Sequence, residues 1–317
     1  MEVERDMYIG IDLGGTNIAA GLVSDEGEIL YQGSTPTMSE RQTGEIVKDM
    51  AELSKKIVSE YGMEMSQIKG IGIGCPGTID YETGEVVYSN NIKMEHYPLA
   101  QEFKKHLDFP IKVDNDANCA ALGEYVVNGN GVKSFLFITL GTGVGGGLIL
   151  DGKVYRGFNG AAIEAGHITL VSGGEKCTCG KEGCWEAYAS VTALIRQTKQ
   201  AMDKATQSLM HSVALKEGKV SGRTAFEAAK LGDNAAQEVV DRCVRYIADG
   251  IVSCENFMQP EIIAIGGGIS REGDYLLNPV REYVRANGFN KFMPKSKIVT
   301  AKLFNEAGII GAAMLMK

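Results

Sequence analysis

The chain has 317 residues, enough for two domains of ordinary size, and 44% of them are apolar. No stretch approaches the ~18–20 consecutive apolar residues of a membrane span, and the first ten residues lack the basic-then-apolar order of a secretory signal. A formal net charge of −8 argues against the basic face a nucleic-acid binder needs. Cys75, Cys119, Cys243 and Cys254 stand singly in apolar or helical surroundings and read as buried free thiols, so a cytoplasmic protein is expected.

In chain order, the opening reads as three short strands over 8–13, 18–23 and 28–32, separated by turns at 14–16 and 24–27. Ile46, Met50, Leu53, Ile57 and Tyr61 recur at helical spacing and predict a helix over 42–61. A buried strand over 68–74 runs into Cys75-Pro76-Gly77, and a hairpin is expected over 80–87 around Thr83-Gly84. A short helix over 98–107 and a strand over 111–113 lead to V-D-N-D-A-N at 113–118 and a helix over 117–127.

The opening pattern then returns, with strands over 134–140, 144–150 and 153–156 and turns at 141–143 and 151–152. I-D-L-G-G-T-N-I-A-A-G-L-V-S-D-E-G-E-I-L-Y at 11–31 matches I-T-L-G-T-G-V-G-G-G-L-I-L-D-G-K-V-Y at 138–155 with small gaps. Two glycine-rich hairpins can converge on such likeness. The shared order of loop, hairpin and turn favours an internal duplication: two similar domains, each presenting one glycine loop to a shared cleft. The remainder is mostly helical, over 188–202, 224–231, 234–257, 276–286 and 306–316, with a strand over 261–265 opening into Gly266-Gly267-Gly268. Val240, Val244, Ile247, Ile251 and Cys254 make the apolar stripe of the longest helix, and 203–222 carries no readable pattern.

Three glycine loops follow strands. Gly14 and Gly15 let backbone N–H groups approach a phosphate, Thr16 and Asn17 can donate further hydrogen bonds, and Asp12 can hold Mg²⁺. Taken alone that loop is equally a tight hairpin. The second, Thr139 to Gly141, Thr142 and Gly143, and the third, Gly266–Gly268, shift the balance towards a nucleoside triphosphate gripped from both sides. Asn115-Asp116-Ala117-Asn118 opens a helix, so one of these residues is expected to cap it. In a functional reading Asp116 is a general base that accepts a hydroxyl proton as a phosphoryl group leaves ATP.

His167, Cys177, Cys179 and Cys184 follow the spacing H-x9-C-x-C-x4-C, with three of the seven cysteines inside eight residues. Three thiolates and an imidazole suit a closed tetrahedral zinc site, and four protein ligands leave no position for substrate, so the metal is expected to be structural. Glu164 and Glu186 flank the segment; two carboxylates suit a polyol, although most glutamates are solvated surface groups. Trp185, the single tryptophan, can stack on a sugar or pack beside the metal, and packing is the expectation.

With D-L-G-G-T at 12–16, C-P-G-T-I-D at 75–80, V-D-N-D-A-N at 113–118, L-G-T-G-V-G-G-G at 140–147, and E-A-G-H at 164–167 followed by C-T-C-G-K-E-G-C-W-E, the chain resembles the ROK family of sugar kinases, near its glucokinases, from residue 9 to 315. The resemblance implies an α/β, two-domain actin-like or hexokinase-type ATPase fold with an inter-domain cleft. It implies a smaller domain of residues 1–116 plus 301–317 and a larger one of 117–300. It makes Asp116 the base and places Gly77, Asn91, Asn115, Glu164, His167 and Glu186 on the sugar, with His167 also on zinc and Gly266–Gly268 against the adenosine. The family often has P-N-L where this chain has Asn90-Asn91-Ile92. Members are commonly dimers or tetramers.

An ATP-dependent hexose kinase, a glucokinase first, is therefore expected, with sugar, ATP, Mg²⁺ and structural zinc as its ligands and neither nucleic acid nor membrane as a partner. Kinases of N-acylmannosamine, N-acetylglucosamine, fructose or allose are the alternatives within the class, and a non-catalytic sugar-binding regulator is the alternative outside it. Polyphosphate and ADP are other donors that such loops can bind. The family's repressors carry a DNA-binding segment ahead of the first phosphate loop, which here starts within a dozen residues of Met1, so a repressor is not expected.

Overall fold

The computed structural model describes residues 5–129 and 131–317. The chain enters through three antiparallel strands, β1 (Met7–Leu13), β2 (Asn17–Ser24) and β3 (Ile29–Pro36). The helix α1 (Thr43–Tyr61) leads to β4 (Ile68–Cys75), which lies parallel to β1. A small sheet of β5 (Thr78–Asp80), β6 (Glu85–Ser89) and β7 (Met94–Tyr97) precedes α2 (Leu99–Lys104). Then come β8 (Ile111–Asn115), parallel to β4, and α3 (Asp116–Asn128).

A second meander follows: β9 (Ser134–Leu140), β10 (Val144–Leu150) and β11 (Lys153–Val154). Helices α4 (Glu186–Ala189), α5 (Val191–Lys204), α6 (Met210–Glu217), α7 (Thr224–Lys230) and α8 (Asn234–Met258) precede β12 (Ile262–Gly266). The chain closes with α9 (Asp274–Asn287), β13 (Lys297–Thr300) and α10 (Ala307–Met314). The two large sheets have the orders β3-β2-β1-β4-β8 and β11-β10-β9-β12-β13. Strand for strand this is one topology used twice, the pattern an internal duplication leaves.

The chain forms two compact units: residues up to Phe135 with Gly147–Ile163 and Lys302–Lys317, and Leu136–Gly146 with Glu164–Ala301. The sequence reading sets the break at residue 116; the contacts keep α3 and β11 with the first unit, because α3 packs on α10. In that unit Ile46, Met50, Leu53 and Ile57 of α1 are buried with Ile9, Ile11, Leu13, Ile18 and Leu22 of the sheet, while Tyr61 is exposed. The other sheet face takes α10 at backbone distance. A Cβ on Gly72 of β4 would overlap the Ala312 carbonyl, and one on Gly311 the Cys119 carbonyl of α3.

In the second unit the expected stripe of α8 is buried, and the Trp185 ring is buried against Gly250 with Nε1 donating to the Tyr246 carbonyl at 2.8 Å. Three features differ from the sequence reading. The helix expected over 188–202 is two, α4 and α5, because Ser190 is extended and its hydroxyl caps the Ala193 N–H. The unassigned 203–222 holds α6, which buries only Met210 and Ala214 and so lacks a stripe long enough to read. The four-residue strands β7 and β13 are too short for alternation to declare them. The four single cysteines are buried and free. Among the described residues no helix is long and apolar enough to cross a membrane.

Gly311→Ala tests the packing of α10. Alanine favours a helix by ~1 kcal/mol over glycine, but the added methyl meets a carbonyl, and such overpacking costs about 1–3 kcal/mol or more. A net loss of stability in urea unfolding is expected; a gain would show that α10 does not pack at backbone distance.

Candidate active site

Strands β1, β4 and β8 run parallel, with Asp12 opposite Gly74 and Cys75 opposite Asn115, so their C-terminal ends lie on one edge. In open α/β sheets ligands bind at that edge. Asp12 lies there at the first turn of α10, where a Cβ on Gly308 would come within 2.6 Å of its Oδ2. Burial, and secondarily the charge of Asp116, raise its pKa to about 6. The residues Asn115-Asp116 turn the chain from β8 into α3. Asn115 is the cap: its Oδ1 accepts the N–H groups of Ala117 (2.9 Å) and Asn118 (3.2 Å), and its Nδ2 donates to the Gly77 carbonyl at 3.1 Å. Asp116 accepts the Ala117 N–H through Oδ1 at 2.9 Å, and burial pushes its pKa up, outweighing the hydrogen bonds that favour the carboxylate.

The first glycine loop is tied to the same edge. Gly14 N–H donates to the Asn17 carbonyl at 3.0 Å, and the buried Thr37 donates its hydroxyl to the Gly14 carbonyl (2.6 Å) and its N–H to the Thr16 carbonyl (2.8 Å). Gly15 lies against Asn91, whose Cβ is 3.6 Å from the place a Gly15 Cβ would take, and Thr16 and Asn17 face solvent. The first unit thus brings together Asp12, Gly14–Asn17, Gly77, Asn91, Asn115 and Asp116.

Sequence reasoning passed over the support behind this edge. Asp114, buried at the end of β8, pairs with Arg156 through Oδ2 at 2.5 and 2.8 Å and accepts from Asn118 Nδ2 (3.0 Å) and the Asn115 N–H (2.8 Å) through Oδ1. The Arg156 guanidinium also lies 3.6 Å above the Tyr81 ring centroid. A buried charge of this kind needs its partner, and here the pair fixes the strand end that carries Asn115 and Asp116. The available signal was Asp114 itself, an inward-facing acid on a buried strand.

In the second unit the other two glycine loops adjoin. Gly267 has φ +83°, and a Cβ there would overlap the Leu140 backbone; Gly266 packs on Phe137 and Gly268 is exposed. Gly141 N–H donates to the Gly143 carbonyl at 3.0 Å, the Gly141 carbonyl accepts the Val191 N–H at 2.9 Å, and the Thr142 carbonyl accepts the Thr192 hydroxyl at 2.7 Å. Thr139, on β9, is half-buried. Glu186 joins this loop to the cysteine segment: Oε2 accepts the Val144 N–H at 3.0 Å, and Oε1 accepts the Thr178 hydroxyl at 3.3 Å. Glu164 is exposed, and its carbonyl accepts the His167 N–H at 3.0 Å in a tight 3₁₀ turn.

The ligand atoms of His167, Cys177, Cys179 and Cys184 all lie within 4.8 Å of one another. Cys177 Sγ is 3.7 Å from His167 Nδ1, and the Cys179 and Cys184 sulfurs are 3.7 Å apart. Thiolates ~2.3 Å from zinc form a tetrahedron with S–S edges of about 3.8 Å. The donor set and its spacing therefore fit zinc, with Nδ1 turned to the metal.

The ROK family matches residues 8–317, and the chain belongs to it. It is similar to a glucokinase of Halalkalibacterium halodurans, 37% identical over 312 residues that cover 98% of this chain and 94% of that protein. Among solved structures it resembles a ROK family glucokinase from Streptomyces griseus in complex with glucose and AMPPNP, with a TM-score of 0.83, 35% identity and 98% of both chains covered. A ROK hexokinase from Thermus thermophilus gives a TM-score of 0.79 at 32% identity over 97% of both chains. The fold is thus the two-domain actin-like ATPase fold of these kinases.

Cys179→Ser removes one of four metal donors. Zinc per chain, measured on the purified protein, should fall and the melting temperature with it, as expected where a structural metal contributes to folding free energy. A fully folded, zinc-free variant with unchanged melting and glucose affinity would contradict a structural role.

Proposed function

We propose that the protein is an ATP-dependent glucokinase that transfers the γ-phosphoryl group of ATP to the 6-hydroxyl of glucose, with Asp116 as the base. What carries this reading is the state of Asp116. Asn115 takes over the capping of α3, and burial raises the proton affinity of the Asp116 carboxylate. A base near the strand ends with a raised pKa suits proton abstraction from an alcohol. Full-length similarity to glucokinases supports glucose as the acceptor.

In this mechanism the 6-hydroxyl gives its proton to Asp116 as its oxygen forms the new bond to the γ-phosphorus, and the bond from that phosphorus to the bridging oxygen breaks to release ADP. Asn115, Gly77, Asn91, Glu164, Glu186 and the Nε2 of His167 are assigned to the sugar hydroxyls on the family resemblance. Gly14, Gly15, Thr16 and Asn17, with Thr139, Gly141, Thr142 and Gly143, offer N–H and hydroxyl donors to the phosphates, and Gly266–Gly268 meet the adenosine. Glu186 has both oxygens engaged with backbone and hydroxyl donors, which fixes its orientation before sugar arrives.

Zinc, held by His167, Cys177, Cys179 and Cys184, supplies rigidity to the loop that presents His167 and Glu186. Asp12 fits Mg²⁺: it is a buried carboxylate with a raised pKa, the condition a nearby cation relieves, and the cation supplies neutralising charge for the phosphates. On the family resemblance we also place the enzyme in the cytoplasm, as a homodimer or homotetramer.

A coupled assay of ATP consumption over a panel of glucose, fructose, allose, N-acetylglucosamine and N-acylmannosamines tests the proposal, and glucose should give the highest kcat/KM. A different best sugar would reassign the acceptor. Thermal stabilisation by a sugar with no turnover of ATP, polyphosphate or ADP would instead mark a regulator. Asp116→Asn should reduce kcat by about 10²–10⁴-fold while glucose still binds; near-normal turnover would remove Asp116 as the base.

A further inference from the structure

Phe158 is 99% exposed, so its ring contributes nothing to the packing of the first unit. It stands in a short loop whose ends are fixed. Ala162 N–H donates to the Arg156 carbonyl at 3.2 Å, and the Asn159 side chain accepts the Ala161 N–H at 3.3 Å. Gly157 and Gly160 take φ values of +70° and +81°, the left-handed region where glycine is at ease.

The base of this loop lies on the active-site edge. Arg156, the residue before Gly157, is the partner of Asp114, next in sequence to Asn115. Gly160 packs on the Ile79 carbonyl, 2.8 Å from where its Cβ would stand, and Ile79 is two residues beyond the Gly77 whose carbonyl Asn115 holds. The loop therefore spans the two supports of Asn115 within one unit. Other exposed phenylalanines differ in place: Phe257 and Phe289 lie in the second unit, where the Phe289 N–H donates to the side chain of Asn256 at 3.1 Å.

We propose that Phe158 is a specificity-determining residue of the kinase, an aromatic platform for the apolar C–H face of the hexose ring; this rests on the glucokinase reading above. A pyranose held through its hydroxyls alone keeps its C–H face open to water. A planar apolar ring held on an anchored loop covers such a face at little entropic cost, since phenylalanine has two side-chain torsions. β-Glucopyranose, with every ring hydroxyl equatorial, offers a flat face. Allose and mannose each carry one axial hydroxyl, which spoils one side.

The test compares wild type, Phe158→Ala and Phe158→Trp in the glucose assay, together with melting temperature. Phe158→Ala should raise KM for glucose about three- to tenfold, the range of one aromatic contact, with kcat and KM for ATP within twofold and melting unchanged. Phe158→Trp should restore KM. Because the face that meets the ring is one of two, the ratio of glucose to either allose or mannose should fall in Phe158→Ala. An active wild type with unchanged glucose KM in Phe158→Ala, or a KM change matched by lower melting, would overturn the proposal. A wild type inactive on glucose would instead remove the reading on which it rests.

Discussion

Everything in the first unit depends on one contact made without side chains. The helix α10 touches the sheet and α3 backbone to backbone, with Gly10 and Gly72 under it and Gly123 and Gly311 between the two helices. Close-packed interiors do not yield to added methyl groups, so this seam allows neither helix to slide. Its consequence is local and chemical. The first turn of α10 is held beside the Asp12 carboxylate, and the first turn of α3 carries Asp116. Two acids are thus fixed near one another at the ends of parallel strands.

Opposing effects act on these acids. A helix N-terminus favours a carboxylate by roughly 0.3–1 kcal/mol at exposed sites. Burial works in the other direction and wins at both positions, and for Asp12 the neighbouring Asp116 charge adds to it. Both carboxylates are therefore held in dry surroundings that favour their protonated forms. Asp114, one residue before Asn115, has different partners. Arg156 neutralises it and two donors saturate its other oxygen, which suits a carboxylate that supports and does not react.

Much of this was legible beforehand, and the reasons differ by element. Strands 134–140 and 144–150 were readable to the residue because apolar runs there are bounded by glycine turns. The cysteine segment was readable because a tetrahedral metal site would impose both residue type and spacing, and the sulfurs and imidazole do converge. Four residues do not decide which of 115–118 caps the helix; in the structure the cap is Asn115. The Asp114–Arg156–Tyr81 stack joins residues 33 to 75 positions apart in the chain, and no local pattern announces such a partner. The break after residue 116 likewise followed the motif order, whereas α3 belongs with the unit whose α10 it packs against.

A carboxylate base raised by burial leaves a signature in the pH dependence of kcat/KM for glucose. The base works ionised, so acidification removes activity by protonating it, and the midpoint moves up with its pKa. Asp116 is raised above the ordinary aspartate value and Asp12 stands at about 6. Measured at saturating ATP, kcat/KM should be level near neutrality and fall on the acid side well before pH 4. A profile that stays level down to the ordinary carboxylate range of about pH 4 would contradict a buried, proton-accepting Asp116.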